Sequence, residues 1–335
     1  MKNTLLTLVC MAAFGSIHAQ DTFSIVAVDS VTGEVGSAGA SCVNLSFFPG
    51  YPIDFLGELF PGLGAINTQA YYLAANQQNA AERMEAGDTP EEIIDWLVAN
   101  DVEGNPTIRQ YGVVAFVGDG PQSAAHTGAS TDDYKGHRTG ATYSIQGNIL
   151  LGPEILDSME ARFLAEEGDL ACKLMAAMQG ANIIGADTRC AGFGTSSLFA
   201  FLKVAQTDDL PGNPSLLVAV KTTGAQGIEP IDSLQVLFNA AHSCLTGTNI
   251  VNPLNDPVTV YPNPTGGTVT IHGLNPSGDD AAFMLFNLEG KQMMQVYIPT
   301  ESPQYTIELG DLPSGNYVYY VQYDGRQHNG TIVIE

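Results

Sequence analysis

Residues 22–41 read TFSIVAV, DSVTGE and VGSAGAS, and this stretch decides the fold of the chain. The first seven residues are apolar and rich in β-branched side chains, which favours a buried strand. The next six residues are typical of a turn, and the last seven are small residues that suit a tightly packed return strand. The stretch therefore predicts a buried β-hairpin, and the rest of the domain has to cover it.

The chain after the hairpin alternates between helical and strand-like patterns. Helices are predicted over 70–86, 153–165, 169–178 and 230–244. A further helix is predicted to start at Thr89-Pro90 and to have an apolar face at Ile93, Ile94, Leu97 and Val98. Strands are predicted over 62–69, 111–117, 123–126, 143–150, 196–204 and 215–220. Because many of these strands follow one another directly, antiparallel pairs are expected. We therefore expect an α+β domain over residues 20–248, built as a four-layer α-β-β-α sandwich.

The character of the sequence changes near residue 250. Residues 249–257 are rich in turn-forming residues and read as a linker. Seven short β-type segments follow within 258–335, separated by turn signals such as Glu289-Gly290 and Asp324-Gly325. They predict a small all-β, immunoglobulin-like sandwich.

The first 19 residues have the layout of a signal peptide. Lys2 is followed by a short apolar run over 4–17, and Ala19 is a small residue at the expected cleavage position. The alternative is an N-terminal membrane anchor, but the run is shorter than the ~20 apolar residues that a membrane span needs. We expect export through the periplasm and no membrane span.

The charge of the chain excludes one class of partner. Lys and Arg total 12 and Asp and Glu total 36, so the formal net charge is −24. Nucleic-acid binding needs clustered cations, so no nucleic-acid partner is expected. The 44% of hydrophobic residues is enough to build a core despite this charge. We interpret the acidity as a solubility trait of an exported protein.

Four cysteines remain once Cys10 is removed with the signal peptide. Cys42, Cys172, Cys190 and Cys244 predict two disulfides in an exported chain, and all three pairings stay open. Buried free thiols are the alternative. No CxxC occurs and no His has ligand spacing to these cysteines, so no metal is expected. The sequence also contains no GxSxG, HExxH or GxxxxGK[ST] motif, and no cofactor is expected.

The tail resembles the C-terminal sorting domain of type IX secretion, the Por system. The likeness is carried by Tyr261-Pro262-Asn263-Pro264-Thr265, by residues 285–291 and by residues 312–317. It implies the type IX secretion machinery as a partner, and a secreted or outer-cell-surface location. Many members have a Lys before the last strand, where this chain has His328-Asn329-Gly330. A carbohydrate-binding sandwich is the alternative.

Residues 22 to about 245 resemble the family called domain of unknown function 1028. The likeness is carried by 22–27, 35–41, 64–70, 124–128, 136–137, 143–150 and 185–189. Its most distinctive segment is Gln146-Gly147-Asn148-Ile149-Leu150. The family is grouped with the N-terminal-nucleophile (Ntn) hydrolases, so the resemblance implies their layered fold.

Mapped onto that fold, Thr22 falls at the nucleophile position. A free N-terminal Thr supplies both a hydroxyl nucleophile and an α-amine base with a pKa of about 7.7–8.0. Ser41 and Asn148 are the further catalytic candidates, and either Asn148 or Gln146 could donate to an oxyanion. The residues expected to line the same cleft are Thr68, Gln69, His126, Gln146, Asp187 and Arg189.

Several of these polar residues also have a structural interpretation. Asp187 and Arg189 could form a bidentate pair that supports the site or only its loop. His126 could be an interior imidazole with satisfied hydrogen bonds. Gln146 and Asn148 could serve only backbone hydrogen bonds at a strand end.

Cleavage after Ala19 leaves Gln20-Asp21 ahead of Thr22, so its nitrogen is an amide until further processing occurs. Two hypotheses follow: an amidohydrolase that uses a freed Thr22 on a small amide or peptide, and a non-catalytic module that binds a ligand or serves the cell surface. Thiol chemistry at Cys42 is a third hypothesis. A homodimer is expected by analogy with Ntn folds alone.

Overall fold

The hairpin forms at the predicted place and becomes the centre of a sheet. In this computed structural model, β1 (Thr22–Val28) pairs antiparallel with β2 (Val35–Ser41), so that Thr22 lies opposite Ser41. The structure describes residues 22–118, 120–224, 227–244, 258–274, 281–287, 291–299, 304–310, 312–323 and 326–335. The expected signal peptide at 1–19 and linker at 249–257 lie outside these ranges.

Two antiparallel sheets make up the large domain. The remaining strands are β3 (Gly57–Phe60), β4 (Gly64–Gln69), β5 (Gln110–Val117), β6 (Gly120–Thr127), β7 (Gly136–Gly140), β8 (Tyr143–Gly147), β9 (Phe199–Ala205) and β10 (Leu216–Lys221). One sheet has the order β10-β9-β2-β1-β8-β7, and the other is the meander β3-β4-β5-β6. Sequence patterns did not predict β3 and β7, which are short and interrupted by glycine or polar residues.

Within the described residues, five α-helices accompany the sheets. They are α1 (Ala74–Glu85), α2 (Pro90–Ala99), α3 (Pro153–Ala165), α4 (Leu170–Gly180) and α5 (Pro230–Ala241). The predicted start of α2 is confirmed, because Thr89 and Glu92 form a reciprocal capping box. The helix predicted from residue 70 begins instead at Ala74, since Ala70 and Tyr71 adopt φ angles of 53° and 48°. None of the helices that the structure describes is long and apolar enough to cross a bilayer.

Alternation along β1 assigns its side chains to two different cores. Phe23, Ile25 and Ala27 belong to the cluster that packs on α3, α4 and α5. Val26 and Val28 face the other way, and they pack against residues of β3, β4 and β5. Helices α1 and α2 cover the outer face of that second sheet. The domain is thus a mixed α/β structure with antiparallel sheets, and Thr22 and Ser24 face the space between them.

The C-terminal region is all-β, as the turn-separated pattern predicts. Its strands are β11 (Thr259–Tyr261), β12 (Thr268–His272), β13 (Ala281–Asn287), β14 (Gln292–Ile298), β15 (Gln304–Glu308), β16 (Gly315–Tyr323) and β17 (Arg326–Ile334). They form a β11-β12-β15 sheet and a β14-β13-β16-β17 sheet. Apolar residues from both sheets share one core, so this region is an immunoglobulin-like sandwich.

The four cysteines form two disulfides, which decides among the three open pairings. Cys42 is bonded to Cys190 and Cys172 to Cys244, across sequence separations of 148 and 72 residues. The free-thiol alternative is therefore wrong for this structure. Because the sulfur of Cys42 is in a disulfide, it offers no thiol, and the hypothesis of cysteine chemistry there is set aside.

We expect the double substitution Cys172→Ser/Cys244→Ser to lower the free energy of unfolding by about 2–4 kcal/mol, because it frees a long loop in the unfolded chain. Urea unfolding of the secreted protein measures the change. The matched variant Cys42→Ser/Cys190→Ser should lose about 0.6 kcal/mol more, since its sequence separation is roughly twice as long. Non-reducing peptide mapping that finds a different pairing would contradict the assignment.

Candidate functional site

Thr22 begins the central strand of the large sheet and is held there through its carbonyl oxygen. This oxygen accepts hydrogen bonds from the backbone N–H of Asn148 (3.1 Å) and from Nε2 of Gln69 (3.1 Å). Ser41 is the cross-strand partner of Thr22, and both residues are fully buried. The structure therefore brings four of the candidate residues together at one end of the space between the sheets.

Gln110, at the start of β5, is the central residue of the hydrogen-bond network around Thr22. Its Oε1 accepts from Nε2 of Gln69 (2.7 Å) and from Nδ2 of Asn148 (2.9 Å). Its Nε2 faces the carbonyl oxygens of Gly136 (3.1 Å) and Gly147 (2.9 Å). Because these carbonyls can only accept, the Gln110 amide has one allowed orientation.

That orientation determines the donors and acceptors of the next amides. Oε1 of Gln69 accepts from the Ser24 hydroxyl (2.6 Å), which in turn accepts from Nε2 of Gln146 (2.7 Å). Oε1 of Gln146 accepts from the Ser144 hydroxyl (2.9 Å). The amide nitrogen of Gln146 thus already donates its hydrogen bonds to Ser24. Of the two oxyanion donors considered from the sequence, only Asn148 then remains suitable.

One atom of this network has no partner. Oδ1 of Asn148 is buried and accepts no hydrogen bond from the residues that the structure describes. A buried acceptor left in this way costs about 1–3 kcal/mol. The backbone N–H of the same residue is bonded to Thr22, so the unpartnered oxygen belongs to a residue that is fixed against the candidate nucleophile. Such an atom indicates a position that a ligand or a processed terminus can satisfy.

The two segments that carry the site amides leave their strands in a strained conformation. Ile149, directly after Asn148, has a φ of 52°, and Ala70 and Tyr71, directly after Gln69, have φ of 53° and 48°. Left-handed backbone costs about 1–2 kcal/mol per non-glycine residue and is least tolerated by β-branched side chains. Strain of this kind concentrates at functional sites, which supports this end of the sheets as the site.

A buried ion pair holds the strained turn behind Gln69. Arg109 donates to the carbonyl oxygen of Tyr71, and its Nε lies 2.9 Å from Oδ2 of Asp101. Burial alone would raise the pKa of Asp101, but hydrogen bonds from Arg109, Asn105 and Asn76 outweigh it and lower that pKa. Sequence reasoning missed this pair. The sequence offered one indication of it: Arg109 stands directly before a predicted strand, and arginine and lysine are rare in this chain, with 12 in total.

Asp187 and Arg189 form the bidentate pair considered from the sequence. Nε of Arg189 donates to Oδ1 of Asp187 (3.0 Å), and Nη2 donates to Oδ2 (2.7 Å). The buried carboxylate also accepts from the backbone N–H of Cys42 (2.9 Å), which follows Ser41. The pair therefore fixes the end of β2 next to Thr22, while Arg189 itself is half-buried.

Thr68 and His126 lie on the other face of the second sheet, away from Thr22. Asn67 and Gln69 point towards β1, so alternation turns Thr68 towards α1 and α2. His126 has the same orientation as Ala124, which packs under those helices. Its Nε2 donates to the carbonyl oxygen of Pro106 (3.0 Å). These two residues are not brought to the cluster around Thr22, because their register on the sheet places them on the opposite face.

A histidine that was not singled out from the sequence ends the network instead. Nε2 of Gln110 shares its two hydrogens among the carbonyls of Gly136 and Gly147 and the Thr127 hydroxyl (2.9 Å). The Thr127 hydroxyl in turn contacts Nδ1 of His137 (2.9 Å). Desolvation, followed by the nearby His126 and Arg138, lowers the pKa of His137. Nδ1 of a neutral imidazole accepts from the Thr127 hydroxyl in one tautomer and donates to it in the other, so in either case a chain of polar contacts runs from the Thr22 carbonyl to an exposed ring.

Asp169, Cys172 and His242 place their ligand-type atoms within 4.8 Å of one another. The sulfur of Cys172 is bonded to Cys244, and Nε2 of His242 lies 2.8 Å from Oδ2 of Asp169. This cluster is therefore a His–Asp contact beside a disulfide, and it offers no thiolate ligand for a metal.

Comparison with known proteins places this architecture in a family. The model of a family of unknown function (DUF1028) matches residues 22–218, which begin at Thr22 and span the site described above. The chain belongs to the DUF1028 family. The model of the secretion system C-terminal sorting domain matches residues 259–335. No curated protein matches the chain.

Solved structures include a member of the same family. The crystal structure of a DUF1028 protein from Silicibacter pomeroyi has 23% identity and a TM-score of 0.51, and the match covers 65% of this chain and 88% of that chain. At this identity the likeness shows the fold alone. An immunoglobulin-like β-sandwich protein from Bacteroides vulgatus has 21% identity and a TM-score of 0.22, covering 25% of this chain and 88% of that chain.

The two matches confirm both family resemblances of the sequence. The sorting domain directs the chain to the cell surface or to secretion, and it implies the type IX secretion machinery as a partner. The DUF1028 match assigns no chemistry, so the activity has to be argued from the site itself.

We expect Gln110→Ala to lower the free energy of unfolding by about 2–4 kcal/mol, because it leaves the buried amides of Gln69 and Asn148 without their acceptor. Chemical denaturation measures the loss. The matched control is Gln78→Ala, an exposed residue of α1, which should change the free energy by less than about 0.5 kcal/mol. Equal stability of the two variants would show that the network does not hold the sheets together.

We expect Asp101→Asn to lower the free energy of unfolding by roughly 1.5–3 kcal/mol at pH 7, because Arg109 loses its buried charged partner and keeps only the exposed Glu103. The folded pKa of Asp101 lies below its unfolded value near 3.9, so its contribution is present above that value. The difference between wild type and variant should therefore shrink as the pH falls below 3.9. Urea unfolding at several pH values measures it.

The control for this series is Glu91→Gln, an exposed residue of α2. Its effect on the free energy of unfolding should stay below about 0.5 kcal/mol. A difference between wild type and Asp101→Asn that stays constant down to pH 2 would contradict the assignment.

Proposed function

We propose that this protein is a secreted or cell-surface amidohydrolase of the N-terminal-nucleophile type, with Thr22 as nucleophile once processing frees its α-amine. The observation that carries the proposal is the buried Oδ1 of Asn148, which has no hydrogen-bond partner among the described residues although Asn148 itself is bonded to Thr22. The packing order of helices, sheet, sheet and helices supports the four-layer Ntn architecture. The family match also begins at Thr22.

The proposed acylation uses the two functional groups of Thr22. Its hydroxyl oxygen attacks the carbonyl carbon of the substrate amide, while its α-amine takes the hydroxyl proton. The oxyanion that forms accepts a hydrogen bond from Nδ2 of Asn148, whose other hydrogen is donated to Gln110. The α-ammonium then gives its proton to the leaving amine, and an ester remains on Thr22. Water hydrolyses this ester with the α-amine again as base.

Asn148 has a second role in this scheme. Its Oδ1 accepts an N–H of the freed α-amine and thereby orients the amine lone pair towards the Thr22 hydroxyl. Gln69 and Gln110 are positioning residues, because they fix the Thr22 carbonyl and the Asn148 amide without contacting the substrate. Ser41 is a positioning residue across the strand pair, and Asp187 and Arg189 fix the adjoining end of β2.

Processing supplies the free amine. We propose a signal peptide at 1–19, the hydrolase domain at 20–248, a linker at 249–257 and the sorting domain at 258–335. After signal cleavage, the Thr22 hydroxyl attacks the carbonyl carbon of Asp21, and the peptide bond becomes an ester. Water then hydrolyses the ester, releasing Gln20-Asp21 and leaving the α-amine free.

A second candidate function is a non-catalytic module that binds a small amide or peptide. The observation that favours it is the complete burial of Thr22 in the chain that still carries Gln20 and Asp21. In that case, the polar network between the sheets is structural only. A homodimer would fit either function.

We expect the secreted protein to start at Thr22 by intact-mass analysis, and Thr22→Ala to retain Gln20-Asp21. Hydrolysis of a panel of acyl and aminoacyl anilides should fall by about 10²–10⁴-fold in Thr22→Ala, because nucleophile and base are lost together. Thr22→Ser should keep the processed start and part of the activity.

The matched control is Thr32→Ala, an exposed threonine in the hairpin turn, which should behave as wild type. A secreted chain that starts at Gln20 and hydrolyses none of the panel would favour the binding module. Undiminished hydrolysis by Thr22→Ala would remove Thr22 from the mechanism.

A further inference from the structure

A cavity of about 340 Å³ lies at the opposite end of the sheets from Thr22. It is lined by β3 and the turn after it, by the ends of β9 and β10, and by the loop between those two strands. Its wall includes Ala205, which pairs with Val35, whereas Thr22 pairs with Ser41. Val35 and Ser41 are the two ends of β2, so the cavity lies roughly 20 Å along the strand from the candidate nucleophile. Its volume is at the lower end of small-molecule sites.

The cavity contains one lysine, and that lysine has no donor left for a ligand. Nζ of Lys203 donates to Oδ2 of Asp54 (2.7 Å), to the carbonyl oxygen of Gly57 (2.7 Å) and to that of Asp54 (3.2 Å). An ammonium group has three hydrogens, so these acceptors use all of them. An anionic ligand would find no free ammonium here, although the wall carries a positive residue.

The free charge of the wall is negative. Asp54 is paired with Lys203, and Asp209 accepts from the backbone N–H of Gln206 and from the Ser215 hydroxyl. Glu58 is half-buried and makes no hydrogen bond to the residues that the structure describes. Burial raises its pKa, with Lys203 opposing and Glu85 adding to the effect. The lining therefore carries the carboxylates of Asp54, Glu58, Glu85 and Asp209 against the single ammonium group of Lys203, whose hydrogens are already used by Asp54 and Gly57.

Apolar side chains lie at the rim of the same cavity. Leu63, Leu210 and Leu217 line it and are exposed over 46%, 71% and 48% of their surface. Large apolar side chains grouped around a concave surface are typical of binding sites, because their exposure to water is unfavourable. The wall thus offers the carboxylate of Glu58, with that of Glu85 in the same lining, beside an apolar surface.

We propose that this cavity binds a small organic cation, a protonated amine that carries an aliphatic or aromatic group. The ammonium group contacts the carboxylate of Glu58, and the apolar group packs against Leu63, Leu210 and Leu217. The site is separate from Thr22, so it stands whether or not the chain is a hydrolase.

Calorimetric titration of the full chain with three probes of similar shape tests this assignment. They are phenethylamine as the cation, 2-phenylethanol as the neutral analogue and 3-phenylpropionate as the anion. We expect the amine to bind about tenfold more tightly than the alcohol, and the anion to bind more weakly than either. Equal binding of the three probes, tighter binding of the anion, or no binding of the amine at millimolar concentration would overturn the proposal.

Substitutions in the lining of the cavity test where the amine binds. Glu58→Gln should weaken the amine about tenfold and leave the alcohol unchanged, since only the ion pair is lost. Leu217→Asn should weaken the amine and the alcohol alike. Glu91→Gln is the matched control for the loss of a carboxylate. Thr22→Ala tests whether amine binding is independent of the proposed nucleophile. Both variants should bind the amine as wild type does. Unaltered amine binding in Glu58→Gln would overturn the proposal, because the amine would then bind without contacting Glu58.

Discussion

The hydrogen bonds from the Gln110 amide to the carbonyls of Gly136 and Gly147 are the interaction on which the interior of this domain depends. Backbone carbonyls cannot change from acceptor to donor, so they fix the direction of every amide that follows. Reversing Gln110 would place oxygen against oxygen in the buried interior, where a mispaired polar group is most costly. The positions of Gln69 and Asn148, and through them the carbonyl of Thr22, follow from this single orientation.

Two glycines make room for this polar layer between the sheets. A Cβ on Gly112 would lie 1.9 Å from Oε1 of Gln146, so only glycine lets β5 approach that amide. A Cβ on Gly57 would lie 2.2 Å from the Ser37 hydroxyl, which donates to Oδ1 of Asn67 (2.6 Å). Side-chain amides thus occupy volume that apolar residues fill in most cores. Because nearly every one of their hydrogen bonds is satisfied, the layer can be buried at little cost.

Local patterns predicted the elements better than the contacts between them. The hairpin, the capping box of α2 and the strands of the tail follow from side-chain period and turn chemistry, which act over a few residues. Which side chains of β4 and β6 point towards Thr22 depends on which face of their sheet is covered by the other sheet and which by the helices. Thr68 and His126 could therefore not be separated from Gln69 and Thr127 by sequence. The pairing of the cysteines, the role of Gln110 and the Arg109–Asp101 ion pair also require contacts between distant elements or a register that no short motif specifies.

The two ends of the space between the sheets have different chemistry, and burial explains the difference. Neutral amides can be fully removed from water once their hydrogen bonds are satisfied, whereas a carboxylate or ammonium group needs a partner or access to solvent. The Thr22 end is built from Gln69, Gln110 and Asn148, and the charged groups of Lys203 and Glu58 lie at the other end, in an open cavity. A free α-amine at Thr22 would therefore adjoin the neutral amides of this network, while the Asp187–Arg189 ion pair lies at the adjoining end of β2. In the proposed processed chain, removal of this amine from water would favour its neutral, basic form over the ammonium form.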